Sequence, residues 1–225
     1  MLPLGGFKID TKNPGFEYCE IHKRIDGGKG QIPIDYTCEI PQLQENDEVS
    51  TLINQQILNA CEGILTQRQH QIWQSTSSQH TNAHPTPVIV EMHYRITYHT
   101  ETHLSILLEE YENQGGAHGI SYRQSLIFST KTGERLNGPE VFEASAETVK
   151  HEKEKAFLSE IEQTPEFFWE NAKQTIQEDG GAQNNSFYLT KDGVVFYYAP
   201  YELAPYAVGY VEATVPFDKL PLHTG

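Results

Sequence analysis

NDEVSTLINQQILNACEGILTQRQHQIW, residues 46–73, is the stretch on which the reading of the fold turns. Apolar residues fall at Val49, Leu52, Ile53, Ile57, Ala60, Cys61, Ile64, Leu65 and Ile72. That spacing predicts one helix with a single buried stripe, facing a surface of Gln, Asn and Glu. Asn46 or Asp47 can cap its first turn, because a short side-chain oxygen accepts from backbone N–H groups that have no intrahelical partner. Gly63 weakens the pattern slightly without stopping it. So long a helix, flanked by strand-like sequence on both sides, is a scaffold packed on a sheet.

Working outward, Phe16–Ile25 and Gln31–Ile40 read as strands joined by the Gly-rich loop Asp26-Gly27-Gly28-Lys29-Gly30. Ile32, Ile34, Tyr36 and Cys38 alternate with Pro33, Asp35 and Thr37, which gives one apolar face. Pro33 suggests an edge position or a strand start, and Pro41 is expected to end the strand. Beyond the helix, Gln74–Pro87 is a polar surface loop. Val88–Tyr98 and Leu104–Tyr111 then read as strands joined by a short connection, His99 to His103. After the interruption Gln114–Gly119, Tyr122–Phe128 is a further strand, ended by the turn Lys131-Thr132-Gly133. These strands form an antiparallel meander.

The composition then changes. Ser145–Gln163 is charged and helix-prone, with Val149, Ala156, Phe157 and Ile161 as a thin apolar stripe. Thr164-Pro165 breaks it, and Pro165 can open a second helix, Glu166–Gln177. Phe167, Phe168 and Ile176 are expected to make that helix's apolar contacts, and Gly180-Gly181 to end it. A hairpin, Phe187–Phe196, turns at Asp192-Gly193, and a last strand runs from Val208 to Val215. The fold class is α+β: antiparallel sheets, one long helix in the N-terminal half, and a helical pair plus closing strands in the C-terminal half. The expected division is an N-terminal α/β module over residues 1–112 and a C-terminal module over 113–225, packed as one compact unit.

Bulk properties exclude several functions. Lys and Arg number 16 against 31 Asp and Glu, a net charge of −15. Such a chain is a poor ligand for nucleic-acid phosphates or anionic membrane surfaces, and suits a basic protein partner or a cation. No run approaches the roughly 20 apolar residues of a membrane helix. Met1–Phe7 shows neither the basic region nor the apolar stretch of a secretory leader, which predicts a cytoplasmic chain or one trimmed at its start. Cys19, Cys38 and Cys61 have no metal-site spacing and are expected to be buried thiols. A Cys19–Cys38 bridge is open to the chain if their strands are neighbours.

No catalytic motif stands out. Ten histidines include the pair His99 and His103 across a turn and the pair His80 and His84 in a loop, with no third metal ligand evident. There is no G-x-S-x-G elbow and no phosphate loop, so no cofactor is expected. Gly115-Gly116-Ala117-His118-Gly119 could form an anion-binding nest, but glycines more often serve close backbone approach. The approach expected here is to the tyrosine–proline loop. That loop, Tyr197 to Gly209, carries Pro200, Tyr201, Pro205 and Tyr206. Two prolines bar a central strand. The loop is then either a rigid buried crossover or a pre-ordered recognition loop, since tyrosine offers large contact area with a polar tip. Prolines and aromatics are common in loops, so composition favours the structural role.

Taken together, Gly115–Gly119, the Lys131-Thr132-Gly133 turn, Phe187-Tyr188-Leu189-Thr190-Lys191-Asp192-Gly193 and Pro200-Tyr201-Glu202-Leu203-Ala204-Pro205-Tyr206-Ala207 form a specific series. It resembles the family of domains of unknown function typified by the extracytoplasmic lysozyme-sensing domain of the RsiV anti-sigma factor and by the accessory domain of a peptidoglycan deacetylase. The resemblance runs from about Tyr111 to Val215 and is weaker before that. It implies an α+β module without a catalytic centre, placed outside the cytoplasmic membrane. It also implies a protein partner, such as a basic lysozyme-like enzyme, met by Gly115, Gly116, His118, Pro200, Tyr201, Pro205 and Tyr206. A peptidoglycan-binding module, with Tyr201, Tyr206 or Trp169 stacking on sugars, is the alternative. An enzyme of unknown chemistry around His118 ranks last. The Gly115–Gly119 turn and the Pro200–Tyr206 loop are expected to lie near each other.

Overall fold

The computed structural model describes residues 6–28, 31–76, 86–116, 118–178 and 186–223. Lys29-Gly30, Ala117, Gly180-Gly181 and most of the Gln74–Pro87 loop, with His80 and His84, lie outside the described residues. The chain divides into two compact units. The first comprises Met1–Tyr94 and Leu108–Tyr122, the second Arg95–Leu107 and Arg123–Gly225.

A sheet of seven strands runs in sequence order: β1 (Phe7–Ile9), β2 (Phe16–Ile25), β3 (Ile34–Leu43), β4 (Val88–His99), β5 (His103–Asn113), β6 (Ile120–Ser129) and β7 (Arg135–Leu136). In the first unit β2 and β3 pair antiparallel, from Phe16 opposite Leu43 to Ile25 opposite Ile34. β3 and β4 pair parallel, because the helix between them carries the chain back to the end where β3 began. Pro41 does not end β3 as expected, and it sits opposite Tyr18 inside the ladder. The register with β4 stops at Cys38, so on that side the ladder asks no N–H of residue 41.

Helix α1 spans Glu48–Thr76. Asp47 caps it, accepting from the Ser50 N–H at 2.8 Å and the Ser50 hydroxyl at 2.9 Å. These bonds hold the Asp47 carboxyl below its ordinary pKa. The buried stripe is Ile53, Ile57, Cys61, Leu65 and Ile72. Leu52, expected within it, is 45% exposed. Polar groups fix the helix on the sheet. The Asn54 amide spans the end of β3, accepting from Leu43 N–H at 2.8 Å and donating to Leu43 O at 3.0 Å. At the other end the Trp73 indole N–H donates to Ile32 O at 2.9 Å.

All three cysteines are buried thiols in this unit, and none is in a disulfide. Burial pushes the Cys38 and Cys61 thiols up to about 12, so neither offers a thiolate near neutral pH. In native protein at pH 8 the thiols should resist a disulfide reagent, and all three should titrate once guanidinium unfolds the chain. Rapid labelling of native protein would show that the first unit opens readily.

In the second unit a three-stranded sheet has the order β10 (Val211–Val215), β9 (Gly193–Tyr198), β8 (Phe187–Thr190). The hairpin connection is Lys191-Asp192, and Gly193 is already the first residue of β9. Helix α2 (Ala146–Gln163) has Ser145 as its N-cap, accepting from Thr148 N–H at 3.1 Å. It buries Val149, Lys153, Phe157 and Ile161. Phe157 meets the Tyr198 ring edge-on at 4.8 Å. Lys153 is 4% exposed, with its ammonium 5.0 Å from the Tyr198 ring centre.

The second expected helix is split. Pro165–Phe167 is one tight turn, closed by Phe168 N–H on Pro165 O at 3.3 Å. Trp169 N–H then donates to Leu203 O at 2.9 Å, a tertiary bond in place of an intrahelical one. Helix α3 begins only at Ala172 and ends at Glu178. Of its expected apolar contacts, Ile176 is buried and Phe167 is 52% exposed. The last strand also starts later than expected: Val208 closes a short turn on Pro205 O, and Gly209 at φ 77° redirects the chain before Val211.

Candidate functional site

The tyrosine–proline segment forms two consecutive turns in the second unit. Glu202 N–H donates to Ala199 O at 3.1 Å, with Pro200 and Tyr201 as the two central residues. Tyr201 has φ 76° and is the only non-glycine residue with positive φ among the described residues. Proline second and a positive φ third is the arrangement of a type II turn, whose third position glycine normally occupies. Holding a tyrosine there costs roughly 1–3 kcal/mol. The surroundings enforce it. Tyr201 N–H donates to Ala204 O at 3.1 Å, while Leu203 and Ala204 are buried in the core of the unit. The Glu202 carboxylate accepts from Ala199 N–H.

This turn presents aromatic surface. Tyr201 is 59% exposed, and its ring lies 5.6 Å from that of Tyr206 at an interplanar angle of 35°. The Trp169 indole N–H donates to Tyr201 O at 3.3 Å, and Trp169 is itself 42% exposed. Pro205 is half-buried and opens the second turn. Glu166, Glu170 and Glu202, all exposed, add carboxylates to these segments. The segments therefore combine exposed aromatic rings with exposed carboxylates, a composition suited to a contact surface.

The glycine-rich turn belongs to the first unit. Gly115 adopts φ 83° and its N–H donates to the Asn113 side chain at 2.8 Å. Gly116 is exposed. His118 is exposed, with Nδ1 donating to Gly119 O at 3.0 Å. Gly119 is buried, and its N–H donates to the Tyr111 hydroxyl at 3.0 Å. A Cβ at Gly119 would fall 2.4 Å from Glu112 O and 2.4 Å from the Tyr111 ring. The close approach expected of this glycine is thus made to the chain's own strand β5.

One charged cluster in the first unit escaped the reading of the sequence. Arg68 of α1 bonds through Nε to Glu110 Oε1 and lies 3.5 Å from Glu112 Oε2. Its guanidinium sits 3.4 Å from the centre of the Tyr122 ring. Both glutamate side chains are 4% exposed. Burial raises the Glu110 pKa; Arg68 opposes this and Glu112 adds to it. Alternation along β5 shows that residues 108, 110 and 112 share a face, but the sequence does not say that the face is internal.

Residues 137–218 match the family model described as "Protein of unknown function (DUF3298)", and residues 32–121 match that of "Deacetylase PdaC". These matches show the resemblance drawn from the motif series. A crystal structure of a DUF3298 family member from Bacteroides fragilis is similar at TM-score 0.63 and 16% identity, over 96% of this chain and 92% of that one. A DUF3298 family protein from Pseudomonas aeruginosa is similar at TM-score 0.60 and 14% identity, over 98% of this chain and 95% of that one. At such identities the likeness shows the fold. No curated protein matches the chain.

Proposed function

We propose, for a chain with a PdaC segment followed by a DUF3298 segment, that it is a non-enzymatic binding module of the bacterial cell envelope. The two family matches support the extracytoplasmic setting. Among the described residues no helix is long and apolar enough to cross a membrane. The contact face is the turn around Tyr201, and the partner is a basic protein such as a lysozyme-like enzyme.

One observation carries this reading. A bulky, mostly exposed tyrosine occupies a backbone position that favours glycine. Stability alone would favour glycine there, so an outward tyrosine on a strained backbone supports contact with something outside the chain. The exposed glutamates of these segments and the net charge of −15 favour a basic partner, because opposite charge speeds encounter.

Titration with a c-type lysozyme at low salt and tens of micromolar tests the proposal. Tyr201→Gly should relieve the strained turn, keep or raise the thermal midpoint, and weaken binding by about tenfold or more, as expected of an aromatic anchor. Absence of binding by the natural chain would reject this partner. Unchanged binding by Tyr201→Gly would reject this face.

The exposure of Tyr201 and Trp169 also supports a second reading, stacking on peptidoglycan sugars. In that case soluble glycan fragments, not the protein, would bind in a Tyr201- and Trp169-dependent way.

A further inference from the structure

Beside the turn that follows β6, the second unit has a cavity of about 330 Å³, lined by His103, Ser129, Lys131, Leu136 and His223 among others. That volume is near the lower end of pockets for small organic ligands. His103 opens β5 and is 1% exposed. Its Nδ1 lies 3.0 Å from Thr102 Oγ1. Its Nε2 is buried and has no hydrogen-bond partner among the described residues. A buried ring nitrogen in that state bears its full desolvation penalty, which a ligand atom can remove.

The chemistry of the missing partner follows from the neighbours. The tautomer in which the Thr102 hydroxyl donates to Nδ1 puts the ring proton on Nε2 and gives the cavity a donor that needs an acceptor. Burial first, then Lys131 and His223, hold the His103 pKa below its ordinary value, so the ring is neutral near pH 7, and Lys131 brings a positive charge to the cavity wall. Glu134 and Glu140 also line the cavity. Each already has an oxygen engaged: Glu134 accepts from the Thr132 hydroxyl at 3.3 Å, and Glu140 from Asn137 N–H at 2.9 Å. Leu136 supplies apolar wall.

We infer that this cavity binds a small carboxylate with a short apolar chain. The carboxylate accepts from His103 Nε2–H and faces Lys131, and the chain lies against Leu136. The site is separate in kind from the aromatic face, and neither depends on the other.

Butyrate titrated into the full chain, followed by calorimetry and by imidazole nitrogen NMR, tests it. Saturable binding with a shift of His103 Nε2 is expected. Lys131→Gln, at an exposed rim position, should weaken binding about tenfold or more, as for loss of a charged hydrogen-bond partner. His103→Asn should abolish it, with the thermal midpoint confirming that the variant folds. Should His103→Asn fail to fold, Lys131→Gln still decides. No saturable butyrate binding, equal binding of n-butanol or inorganic phosphate, or wild-type affinity in Lys131→Gln would each overturn the inference.

Discussion

Arg68→Met should destabilise the first unit by about 3–5 kcal/mol, the range for removing one partner of a buried ion pair. The thermal midpoint should fall by on the order of 10 °C. Methionine keeps much of the packing along α1 but removes the cation shared by Glu110 and Glu112, whose side chains are 4% exposed. It also removes the stack on Tyr122. If charge is the cause, adding Glu110→Gln to Arg68→Met should recover part of the loss, because only one buried carboxylate then remains. A double variant no more stable than Arg68→Met would assign the effect to packing.

The same cluster sets a pH dependence. The Glu110 pKa is raised by burial, so the folded chain holds that proton more tightly than the unfolded chain does. Its contribution to stability is therefore fully present below the ordinary glutamate value of 4.5 and is lost as pH rises through the folded value. Glu110→Gln should remove that slope and be at least as stable as the natural chain at pH 7. Urea unfolding between pH 4 and 8 measures both.

Gly193→Ala is expected to cost on the order of 2–4 kcal/mol through positive-φ strain and overpacking. Gly193 has φ 147°, and a Cβ there would meet Val215 O at 2.3 Å and Pro216 Cα at 2.9 Å. Those atoms are backbone of the last residue of the paired strand and of the residue after it, so relief requires opening the end of the β9–β10 ladder. Gly115→Ala is the control: its φ is 83°, but a Cβ there meets nothing within 4 Å. It should bear the conformational penalty alone and lose less. Equal losses at the two positions would show that the clash is absorbed.

Local signals made the elements legible. The cap at Asp47, the four-residue steps from Ile53 to Leu65, the cap at Ser145 and the turn residues near Gly193 each act within one or two turns of chain. The α+β class and most strand boundaries follow from them. Errors came where a distant group took over a local choice. Pro41 stays in β3 because no β4 residue pairs with it. The second helix breaks because Leu203 takes the Trp169 N–H.

Site residues divide in the same way. The sequence marked Tyr201, Tyr206 and Trp169 as aromatic residues suited to contact, and it marked the glycines of the Gly115–Gly119 turn. It left open whether the tyrosines are core or surface, because alternation and proline placement say nothing about which side meets solvent. Tertiary structure decided that Leu203 and Ala204 anchor the turn while Tyr201 is held outward at φ 76°. It also decided that Glu110, Glu112, Lys153 and His103 are buried and that Arg68 is mostly so. Elements follow from interactions between near neighbours in the chain. Burial of a charge or an aromatic ring depends on residues far away in sequence, and only the folded chain brings those together.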